Sequence, residues 1–510
     1  MKKRALISVS NKFNLVPFAQ RLQDSNYEII STGGTLKLLV DSGIDAKSVE
    51  TVTGFPEILE GRVKTLHPNI HGGLLAKRNE ESHMTALQEN QIDLIDIVVV
   101  NLYPFKETVT KEGATEEDII ENIDIGGPTM LRAAAKNFKD VIVVVDPADY
   151  EMIADNLESG ELDEETRKKL AAKVFRHTAN YDAMIARYFN ESTDERFPND
   201  YTVTYEKVQD LRYGENPHQQ AAFYEDVQYK GISLATAKQL HGKELSFNNI
   251  QDANAALEIV VEYDEPAVVA VKHMNPCGIG LADNLNDAFT RAYEADPISI
   301  FGGIIACNRE VDKATAEQMH EIFLEIVMAP SFTDEAKKVL MQKQNIRLLE
   351  MENVDLEQSN EKITTVKGGI LVQTSDDGKV DAEDLEVVTD RKPTAEEMED
   401  LLFSWKAVKH VKSNAIVLAK NKQTIGIGAG QMNRIGAANI AIEQAGENAK
   451  SAVMASDAFF PMPDTVEAAA KAGVTAIIQP GGSKRDQDSI DVCNANGIAM
   501  VYTKMRHFKH

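Results

Sequence analysis

Residues 27–35 read YEIISTGGT, a short apolar strand pattern followed at once by glycines and a threonine that open a helix. The same alternation of strand and helix patterns continues through the first 190 residues. Strand patterns cover Ala5–Val9, Tyr27–Ser31, Ile95–Val100 and Val141–Val145, and helix patterns cover Leu15–Asp24, Thr35–Asp41, Thr115–Asn122, Thr129–Asn137 and Glu164–Phe189. Such alternation predicts a parallel, doubly wound α/β sheet. The polar stretch Glu191–Asp200 predicts the end of this domain.

The composition is that of an ordinary globular protein. A chain of 510 residues, 43% hydrophobic and 26% charged, predicts two to four domains and excludes a collagen, a coiled coil and wholesale disorder. The net charge of −26 argues against a nucleic-acid or membrane-surface binder. Cys277, Cys307 and Cys493 are too scattered for a disulfide framework, and no apolar stretch approaches the roughly 20 residues of a membrane span. We therefore expect a soluble cytoplasmic protein.

The second part of the chain contains a weak internal repeat. Val268–Gly280, VVAVKHMNPCGIG, aligns without gaps on Ile416–Gly428, IVLAKNKQTIGIG. Each segment is interpreted as a buried strand, a lysine and a glycine-bearing loop. A match this short also arises by chance, but it favours two related α/β halves. The acidic stretch Asp376–Asp390 between them is expected to be a solvated connection.

Loops that follow strands are the expected ligand sites, because parallel α/β sheets bind ligands at the carboxyl ends of their strands. The hydroxyls and glycine amides of Ser8–Lys12 and Ser31–Thr35 suit a phosphate group at a helix N-terminus, and a simple helix cap explains the second loop equally well. Arg62 and Lys64 would project from one face of an extended backbone. They are either a pair of solvated charges or groups that bind phosphate and stabilise an oxyanion.

Two more polar segments complete this pattern. Asn101–Phe105 places an amide and a phenol after a predicted strand, and Asp124 precedes a helix that carries Arg132 and Lys136 one turn apart. A helix N-cap is the usual role of an aspartate at such a position.

Lys272 and His273 end the apolar strand Ala267–Val271. Adjacent strand residues point to opposite faces, so both reach one ligand only if the backbone breaks here, and Asn275–Gly278 predicts that break. A histidine in this position suits a general base near neutral pH, and the lysine suits stabilisation of a leaving group. A structural loop histidine is the alternative.

Common cofactor motifs are absent from the sequence. Gln431 takes the place of the last glycine of GxGxxG in Gly426–Gln431, and no GxxxxGK[ST] element exists. Pro276-Cys277 lacks the second cysteine and the HxE element of a zinc deaminase. We therefore expect neither a redox cofactor nor a dedicated metal site.

Nine motifs together resemble one family, the bifunctional purine-biosynthesis enzymes that join AICAR transformylase to IMP cyclohydrolase. In chain order they are GRVKTLHP, NLYPF, IDIGGPTMLRAAAK, LRYGENPHQ, VKHMNPCG, SNAIVLAKN, IGIGAGQMNR, SDAFFPMPDTV and QPGGS. The resemblance implies a methylglyoxal-synthase-like cyclohydrolase domain in residues 1–195. It also implies a transformylase domain in residues 200–510, built of two cytidine-deaminase-like α/β halves at about 200–375 and 391–510.

The resemblance further implies the reactions and the assembly. A formyl group would pass from 10-formyltetrahydrofolate to aminoimidazole carboxamide ribotide, and the formylated product would close to IMP. The family works as an intertwined homodimer with transformylase sites formed between subunits. It leaves a bound potassium ion open.

Site residues carry over motif by motif. The predicted catalytic residues are Lys272 and His273 for formyl transfer, and Lys64, Lys136, Asp124 and Tyr103 for ring closure. Substrate binding in the first domain is predicted for Ser10, Asn11, Lys12, Thr32, Gly33, Gly34, Thr35, Arg62, Thr65, Asn101, Ile125 and Gly126. Substrate binding in the second domain is predicted for Arg212, Tyr213, His218, Asn414, Arg434 and Arg506. Folate binding is predicted for Phe459, Pro461, Asp464 and Ser483, where Met462-Pro463 departs from some relatives and leaves the shape of the pocket open.

Two rival hypotheses share the same α/β layers. One is a nucleotide-dependent oxidoreductase, against which the missing GxGxxG argues. The other is a non-catalytic ribotide sensor, against which the intact Lys64, Lys136, Lys272 and His273 argue.

Overall fold

The computed structural model describes residues 2–160, 162–351 and 361–510. The chain divides into two compact units, one of Met1–Glu206 with Asp226–Tyr229 and the other of Lys207–Glu225 with Lys230–His510. The first unit thus extends a few residues beyond the predicted boundary. Lys106 Nζ donates to Glu206 Oε2 at 2.8 Å, and Arg187 Nη1 donates to Asp226 Oδ2 at 2.6 Å, which attaches both added segments.

The first unit alternates strands with helices as predicted. Its strands are β1 Lys3–Val9, β2 Tyr27–Ser31, β3 Ala46–Ser48, β4 Ile97–Asn101 and β5 Ile142–Val144. Its helices are α1 Leu15–Asp24, α2 Gly33–Asp41, α3 Val49–Thr53, α4 Pro68–Leu75, α5 Glu81–Glu89, α6 Phe105–Thr110, α7 Glu116–Glu121, α8 Gly126–Lys136, α9 Tyr150–Ser159 and α10 Glu164–Ser192.

The strands of this unit form a parallel sheet in the order β3-β2-β1-β4-β5. This confirms the doubly wound sheet. The chain order reverses between β1 and β4, and such a switch point opens a crevice at the carboxyl ends of the two strands. Residues 97–100 of β4 and 142–144 of β5 are fully buried, as expected for strands with helices on both faces.

The second unit carries the remaining elements. Its strands are β6 Glu206–Leu211, β7 Ala221–Glu225, β8 Lys238–His241, β9 Ala267–Lys272, β10 Asn275–Leu281, β11 Gly303–Cys307, β12 Leu324–Ala329, β13 Arg347–Glu350, β14 Glu361–Val366, β15 Gly369–Thr374, β16 Glu386–Val387, β17 Ile416–Lys420, β18 Gln423–Gly428, β19 Val453–Ser456, β20 Ala476–Gln479 and β21 Ala499–Tyr502. Its helices are α11 Phe247–Val260, α12 Leu285–Ala295, α13 Lys313–His320, α14 Asp334–Leu340, α15 Ala395–Lys409, α16 Arg434–Ala445, α17 Asp464–Ala472 and α18 Asp486–Asn496.

A mixed sheet of two related halves organises this unit. Across the described residues its order is β16-β21-β20-β19-β17-β18-β10-β9-β11-β12-β13-β8. The halves meet where β10 pairs with β18 through Gly280 and Gln423. The order of antiparallel and parallel strand pairings is mirrored on either side of that seam. The structure thus confirms two related α/β halves. The predicted first half, about 200–375, includes residues 352–360, which lie outside the described residues.

The repeated segments differ from the prediction in one respect. The glycine-bearing part of each is not a loop but a strand, β10 or β18, which forms a hairpin with the preceding strand. A Cβ atom on Gly278 would lie 2.1 Å from the carbonyl oxygen of Ala292 in α12, and one on Gly426 would lie 2.0 Å from that of Ala441 in α16. The glycines therefore allow a helix to pack closely on each hairpin and do not form a ligand loop.

The acidic connection is only partly as predicted. Most side chains of Asp376–Asp390 are exposed or half-buried, as a solvated segment requires. However, β16 lies within it and pairs antiparallel with β21, as β8 pairs with β13 in the other half. The stretch is therefore also an edge of the sheet, which its acidic composition did not indicate.

Candidate active sites

The switch point of the first unit brings together the loops after β1 and β4. Asn101 Oδ1 accepts hydrogen bonds from the backbone N–H groups of Ser10 at 2.7 Å and Asn11 at 2.8 Å, and Asn101 Nδ2 donates to the carbonyl of Asn11. Asn101 thus fixes the loop that carries Ser10, Asn11 and Lys12. The structure brings these four predicted residues together at the carboxyl edge of the sheet, where ligands of such sheets bind.

The loop after β2 adjoins this one. The Thr32 hydroxyl bonds to the Ser8 hydroxyl at 2.9 Å, and Thr35 Oγ1 bonds to both the N–H and the carbonyl of Val9. The side chain of Thr32 does not cap α2. The hydroxyls therefore tie the two loops together and leave the Gly33 and Gly34 amides at the start of α2, an arrangement that suits an anion better than a simple cap.

The backbone at Arg62 is not extended, although the prediction that Arg62 and Lys64 share one face required an extended backbone. Arg62 follows a 3₁₀ turn with helical backbone angles and pairs with Glu121, so the backbone is not extended there. Lys64 Nζ lies 3.6 Å from Glu57 Oε1, and a Cβ atom on Gly33 would lie 4.0 Å from it. Lys64 therefore lies close to the start of α2.

Asp124 is a half-buried carboxyl group that feels the charge of Lys64. Its Oδ1 accepts from the Gly127 N–H at 2.8 Å, so it does cap α8, and its own N–H donates to the Tyr181 hydroxyl at 2.9 Å. Burial raises the pKa of Asp124, although hydrogen bonds from the Gly127 and Tyr103 N–H groups and the charge of Lys64 oppose this. A carboxyl group with a raised pKa beside an ammonium group is suited to proton transfer.

Tyr103 and Thr65 complete this cluster. Burial raises the pKa of the Tyr103 phenol, and the negative charges of Asp124, Glu57 and Glu121 raise it further. Thr65 is buried, and a Cβ atom on Gly126 would lie 2.9 Å from its hydroxyl, so Thr65 lies against the start of α8. Ile125, just before that helix, is exposed.

Lys136 does not join the other predicted residues. It is the last residue of α8, about 15 Å along the helix axis from Gly126, because α8 runs from the carboxyl edge of the sheet back towards the start of β5. There it lines a cavity of about 870 Å³ together with His71, Arg132 and Lys168. Its motif match did not show that it lies at the other end of the helix from Asp124.

His273 lies on a tight turn in the second unit. The turn between β9 and β10 consists of His273 and Met274, both with positive φ, so the backbone breaks here and not at Asn275–Gly278 as predicted. The His273 side chain is exposed, and Lys272 Nζ donates to the carbonyl of Phe301 at 2.6 Å. The turn therefore presents the imidazole to solvent beside the lysine.

Asn414 lies close to this turn through a short chain of hydrogen bonds. Asn275 Oδ1 accepts from the Lys412 N–H at 3.1 Å, and Asn414 exchanges backbone hydrogen bonds with Gln431. Arg434 is buried, pairs with the buried Asp457 and donates from Nη2 to Asn414 Oδ1 at 2.7 Å. Arg434 thus holds Asn414 in place, a role that differs from the predicted direct substrate contact because its guanidinium group is enclosed by protein groups.

The C-terminal residues pack against the same group. Ser413 donates its N–H to the Lys509 carbonyl at 2.8 Å, and His507 is buried with its N–H donating to the Asp457 carbonyl at 3.0 Å. Arg506, which precedes His507, is exposed, with its guanidinium carbon 4.5 Å from the centre of the Phe508 ring. The end of the chain is therefore ordered beside Asn414 and leaves Arg506 accessible.

Arg212, Tyr213 and His218 lie together on the loop of the β6–β7 hairpin. The Arg212 guanidinium group lies 5.0 Å from the centre of the Tyr213 ring, and His218 is exposed. Asn248 Nδ2 donates to the Glu215 carbonyl at 3.4 Å, which attaches the loop to the first turn of α11. Ligand contacts by these three residues remain a prediction.

The predicted folate residues lie after two neighbouring parallel strands. Phe459, Pro461 and Asp464 follow β19, and Ser483 follows β20. Arg485 Nη1 approaches the Met462 sulfur at 2.8 Å, which connects the two loops. Their common position at the carboxyl ends of adjacent strands is that of a ligand site.

Comparisons with known proteins identify the family of this chain. The family model described as AICARFT/IMPCHase bienzyme matches residues 134–444, and the MGS-like domain model matches residues 14–129. The chain is 66% identical over 510 residues to the bifunctional purine biosynthesis protein PurH of Oceanobacillus iheyensis, with both chains covered completely. It is 62% identical over 511 residues to PurH of Bacillus cereus strain B4264, again with complete coverage of both. The chain belongs to the AICARFT/IMPCHase bienzyme family.

Membership in this bienzyme family defines the chemistry of the chain. The protein is a bifunctional enzyme that catalyses the last two steps of IMP synthesis, a formyl transfer to aminoimidazole carboxamide ribotide from a folate-derived donor and the closure of the product to IMP. The N-terminal unit contains the MGS-like domain of the bienzyme. A crystal structure of ForH covers 37% of this chain and 100% of its own at 38% identity and a TM-score of 0.34, which adds nothing to the argument.

Some residues of the bienzyme site were missed by sequence reasoning. Glu57 lies beside Lys64, and the Tyr181 hydroxyl both accepts from the Asp124 N–H and donates to the Asn122 carbonyl at 2.8 Å. Tyr181 falls within the predicted helix Glu164–Phe189, and nothing in its spacing marked the hydroxyl. Across residues 2–160, 162–351 and 361–510, no group of three or more His, Cys, Asp or Glu side chains is placed to hold a metal ion, and no helix is long and apolar enough to cross a membrane.

Proposed function

We propose that the two reactions of this bienzyme use separate groups of residues, with ring closure at the switch point of the first unit and formyl transfer at the His273 turn of the second. The convergence of Lys64, Asp124 and Tyr103 beside the tied loops after β1 and β2 supports the first assignment. The exposed imidazole beside Lys272 and near Asn414 supports the second.

For formyl transfer, we propose 10-formyltetrahydrofolate as the donor. The amine of the ribotide is a weak nucleophile because its lone pair is delocalised into the ring and the carboxamide. His273 removes a proton from it as a new bond forms between the amine nitrogen and the formyl carbon. The bond from that carbon to the folate nitrogen then breaks, and the nitrogen leaves with a proton. The Lys272 ammonium group stabilises the charge that develops on the formyl oxygen.

For ring closure, the carboxamide nitrogen attacks the formyl carbon, and the formyl oxygen leaves as water. Lys64 stabilises the oxyanion that forms during the attack. Asp124, with its raised pKa, and the Tyr103 phenol are positioned to pass protons between the nitrogen and the departing oxygen. Lys136 is outside this step in the present geometry.

Binding roles follow from the same positions. The amides of Gly33 and Gly34 and the ammonium group of Lys12 bind the phosphate of the ribotide in the first unit. Asn101 fixes the loop that carries Ser10 and Asn11, and the hydroxyls of Thr32 and Thr35 tie the two loops together. In the second unit the ribotide contacts are assigned to Arg212, Tyr213, His218, Asn414 and Arg506. The loops after β19 and β20 are assigned to folate.

We also infer a cytoplasmic homodimer. Ile298 is 88% exposed and Met432 is 98% exposed, and apolar side chains this accessible are commonly covered by a partner. The acidic net charge and the three free cysteines suit the cytoplasm. A bound potassium ion remains a prediction.

The two assignments are tested by separating the partial reactions. His273→Ala should lower formyl transfer about 10²–10⁴-fold and still close supplied formyl-ribotide at the normal rate. Lys64→Ala should lower ring closure about 10²–10³-fold and still release tetrahydrofolate from its formyl derivative. Thermal unfolding first establishes that both variants are folded. Loss of both partial reactions in either folded variant would contradict two separate sites.

A further inference from the structure

The His273 turn has an unfavourable sequence for its shape. His273 has a φ of 53° and Met274 a φ of 62°, which is the backbone of a type I′ hairpin turn. Such turns strongly favour Asn-Gly or Gly-Gly. Glycine has no Cβ atom, and Asn and Asp tolerate positive φ, whereas other side chains clash with the backbone there. A methionine in the second position therefore needs support from elsewhere in the fold.

Asp252 of α11 supplies that support. Its carboxylate accepts hydrogen bonds from both N–H groups of the turn, Oδ2 from His273 at 3.3 Å and Oδ1 from Met274 at 2.7 Å. On the other side of the turn, Asn275 Nδ2 donates to the His273 carbonyl at 3.1 Å. The backbone that carries the imidazole is thus held on both sides.

The second half of the unit repeats this contact without a histidine. The turn between β17 and β18 is Asn421-Lys422, also with positive φ at both residues. Asp400 of α15 accepts from the Asn421 N–H at 2.8 Å and the Lys422 N–H at 2.7 Å. The sequence offset that relates Val268 to Ile416 also relates Asp252 to Asp400. The aspartate is therefore part of the repeated scaffold, and only its first copy lies under a predicted general base.

We propose that Asp252 is a positioning residue for formyl transfer, which acts by holding the His273-Met274 turn so that the imidazole faces the amine of the ribotide. This inference rests on the proposed role of His273. Asp252 does not touch the reacting atoms. A displacement of the imidazole by about 1 Å is enough to cost on the order of 10²-fold in rate.

The matched pair Asp252→Asn and Asp400→Asn tests the proposal in the full-length enzyme. Each change replaces one of the two carboxylate acceptors by an NH₂ group that faces a backbone N–H, so both variants should be less stable to heat. Only Asp252→Asn should lower kcat for formyl transfer, by about 10- to 100-fold, with the KM for the ribotide unchanged. Neither should alter the closure of supplied formyl-ribotide. Equal kcat values in the two variants would overturn the proposal.

A double-mutant cycle distinguishes this from a failure of the His273 assignment. If Asp252 acts through His273, adding Asp252→Asn to His273→Ala should lower the residual formyl transfer no further. An additional loss of the full 10- to 100-fold would overturn the proposal for Asp252 alone. Normal formyl transfer in His273→Ala itself would instead contradict the proposed function.

Met274→Gly provides a rescue and a safeguard against misfolding. Glycine accepts positive φ without a steric cost, so Asp252→Asn/Met274→Gly should form the turn without the carboxylate. This variant should recover most of the kcat that Asp252→Asn loses, and it should fold even if Asp252→Asn does not. A folded double variant with no recovery would overturn the proposal.

Discussion

The two halves of the second unit place one scaffold around two different turns. Lys272 Nζ donates to the Phe301 carbonyl at 2.6 Å, and Lys420 Nζ donates to the Lys450 carbonyl at 2.9 Å in the other half. The two turns carry different side chains, His273-Met274 in the first and Asn421-Lys422 in the second. The His273 side chain of the first turn is exposed.

In the second turn the Lys422 side chain, at the position of Met274, is held by two acidic groups. Lys422 Nζ pairs with Glu265 at 3.0 Å and with Glu399 at 3.1 Å. The contacts that support the turn are therefore common to both halves. The side chain that the turn carries differs, and this difference marks the position proposed to be reactive. The repeated lysine contact also means that Lys272 has a structural role besides the catalytic one proposed for it.

The largest expected effect comes from giving the first turn the residue of the second. His273→Asn should lower formyl transfer about 10²–10⁴-fold, because asparagine cannot act as a general base. Stability should change little, since asparagine tolerates positive φ well. Tetrahydrofolate release measures the first effect and thermal unfolding the second. Asn421→His, the reciprocal change, should leave formyl transfer as it is, and a large loss there would break the comparison.

The glycines of the two hairpins should be equivalent. Gly278→Ala and Gly426→Ala each place a Cβ atom about as close to a helix carbonyl, at 2.1 Å and 2.0 Å, so each helix must move away from its hairpin. Each should lower the free energy of unfolding by about 1–3 kcal/mol or more, measured by denaturant titration. Gly369→Ala is the control, because its nearest neighbour would lie at 3.8 Å. A harmless substitution in only one hairpin would show that the halves pack differently.

A charged contact between the halves predicts an acid-sensitive step. Glu262 lies just after α11, and Lys409 and His410 lie at the end of α15. The Glu262 carboxylate accepts hydrogen bonds from Lys409 Nζ at 2.8 Å and from His410 Nε2 at 2.9 Å. Burial alone would raise the pKa of Glu262, but the hydrogen bonds and positive charges of His410 and Lys409 lower it to about 2. A lowered folded-state pKa means that the contact stabilises the fold above the ordinary value of 4.5.

This contribution, about 3 kcal/mol, should be lost as the pH falls from about 4.5 towards 2. Denaturant titration of the full chain across that range measures it. Glu262→Gln should be less stable at neutral pH and should lack this part of the pH dependence. An unchanged slope in Glu262→Gln would show that other carboxyl groups account for the acid sensitivity.

The smallest expected effect concerns the C-terminal residues, which pack beside Asn414. Arg506→Ala should raise the KM for the ribotide in formyl transfer by about 10-fold, the value of a hydrogen bond to a charged group. Ring closure should not change. Lys504→Ala is the control, since Lys504 is exposed and pairs with Glu386 at 2.9 Å. Equal KM values for the two variants would remove Arg506 from the site.

The sequence predicted those parts of the fold that follow from local pattern. The helix Leu15–Asp24 and the strand Tyr27–Ser31 have the predicted bounds, because each is one apolar period between polar residues. The repeat was recognised from the strand and the glycines. Extending its offset upstream aligns Asp252 with Asp400, so the sequence did contain a signal for that contact.

The rest depended on tertiary structure. No pattern marks His273-Met274 as a turn, because neither residue is usual at positive φ and the support comes from a helix about 20 residues earlier. Lys136 was grouped with Asp124 because one motif contains both, although the whole length of α8 separates them. Arg62 was placed with Lys64 on the assumption of an extended backbone, which the preceding 3₁₀ turn excludes.

We propose that formyl transfer and ring closure need different residues in different units, and a mixing experiment tests this separation. His273→Ala and Lys64→Ala, each nearly unable to make IMP alone from ribotide and 10-formyltetrahydrofolate, are combined in equal amounts and IMP is followed by chromatography. The account predicts that the mixture makes IMP after a lag, because the formyl-ribotide released by Lys64→Ala is closed by His273→Ala. A mixture of the two folded variants that makes no more IMP than either variant alone would contradict it.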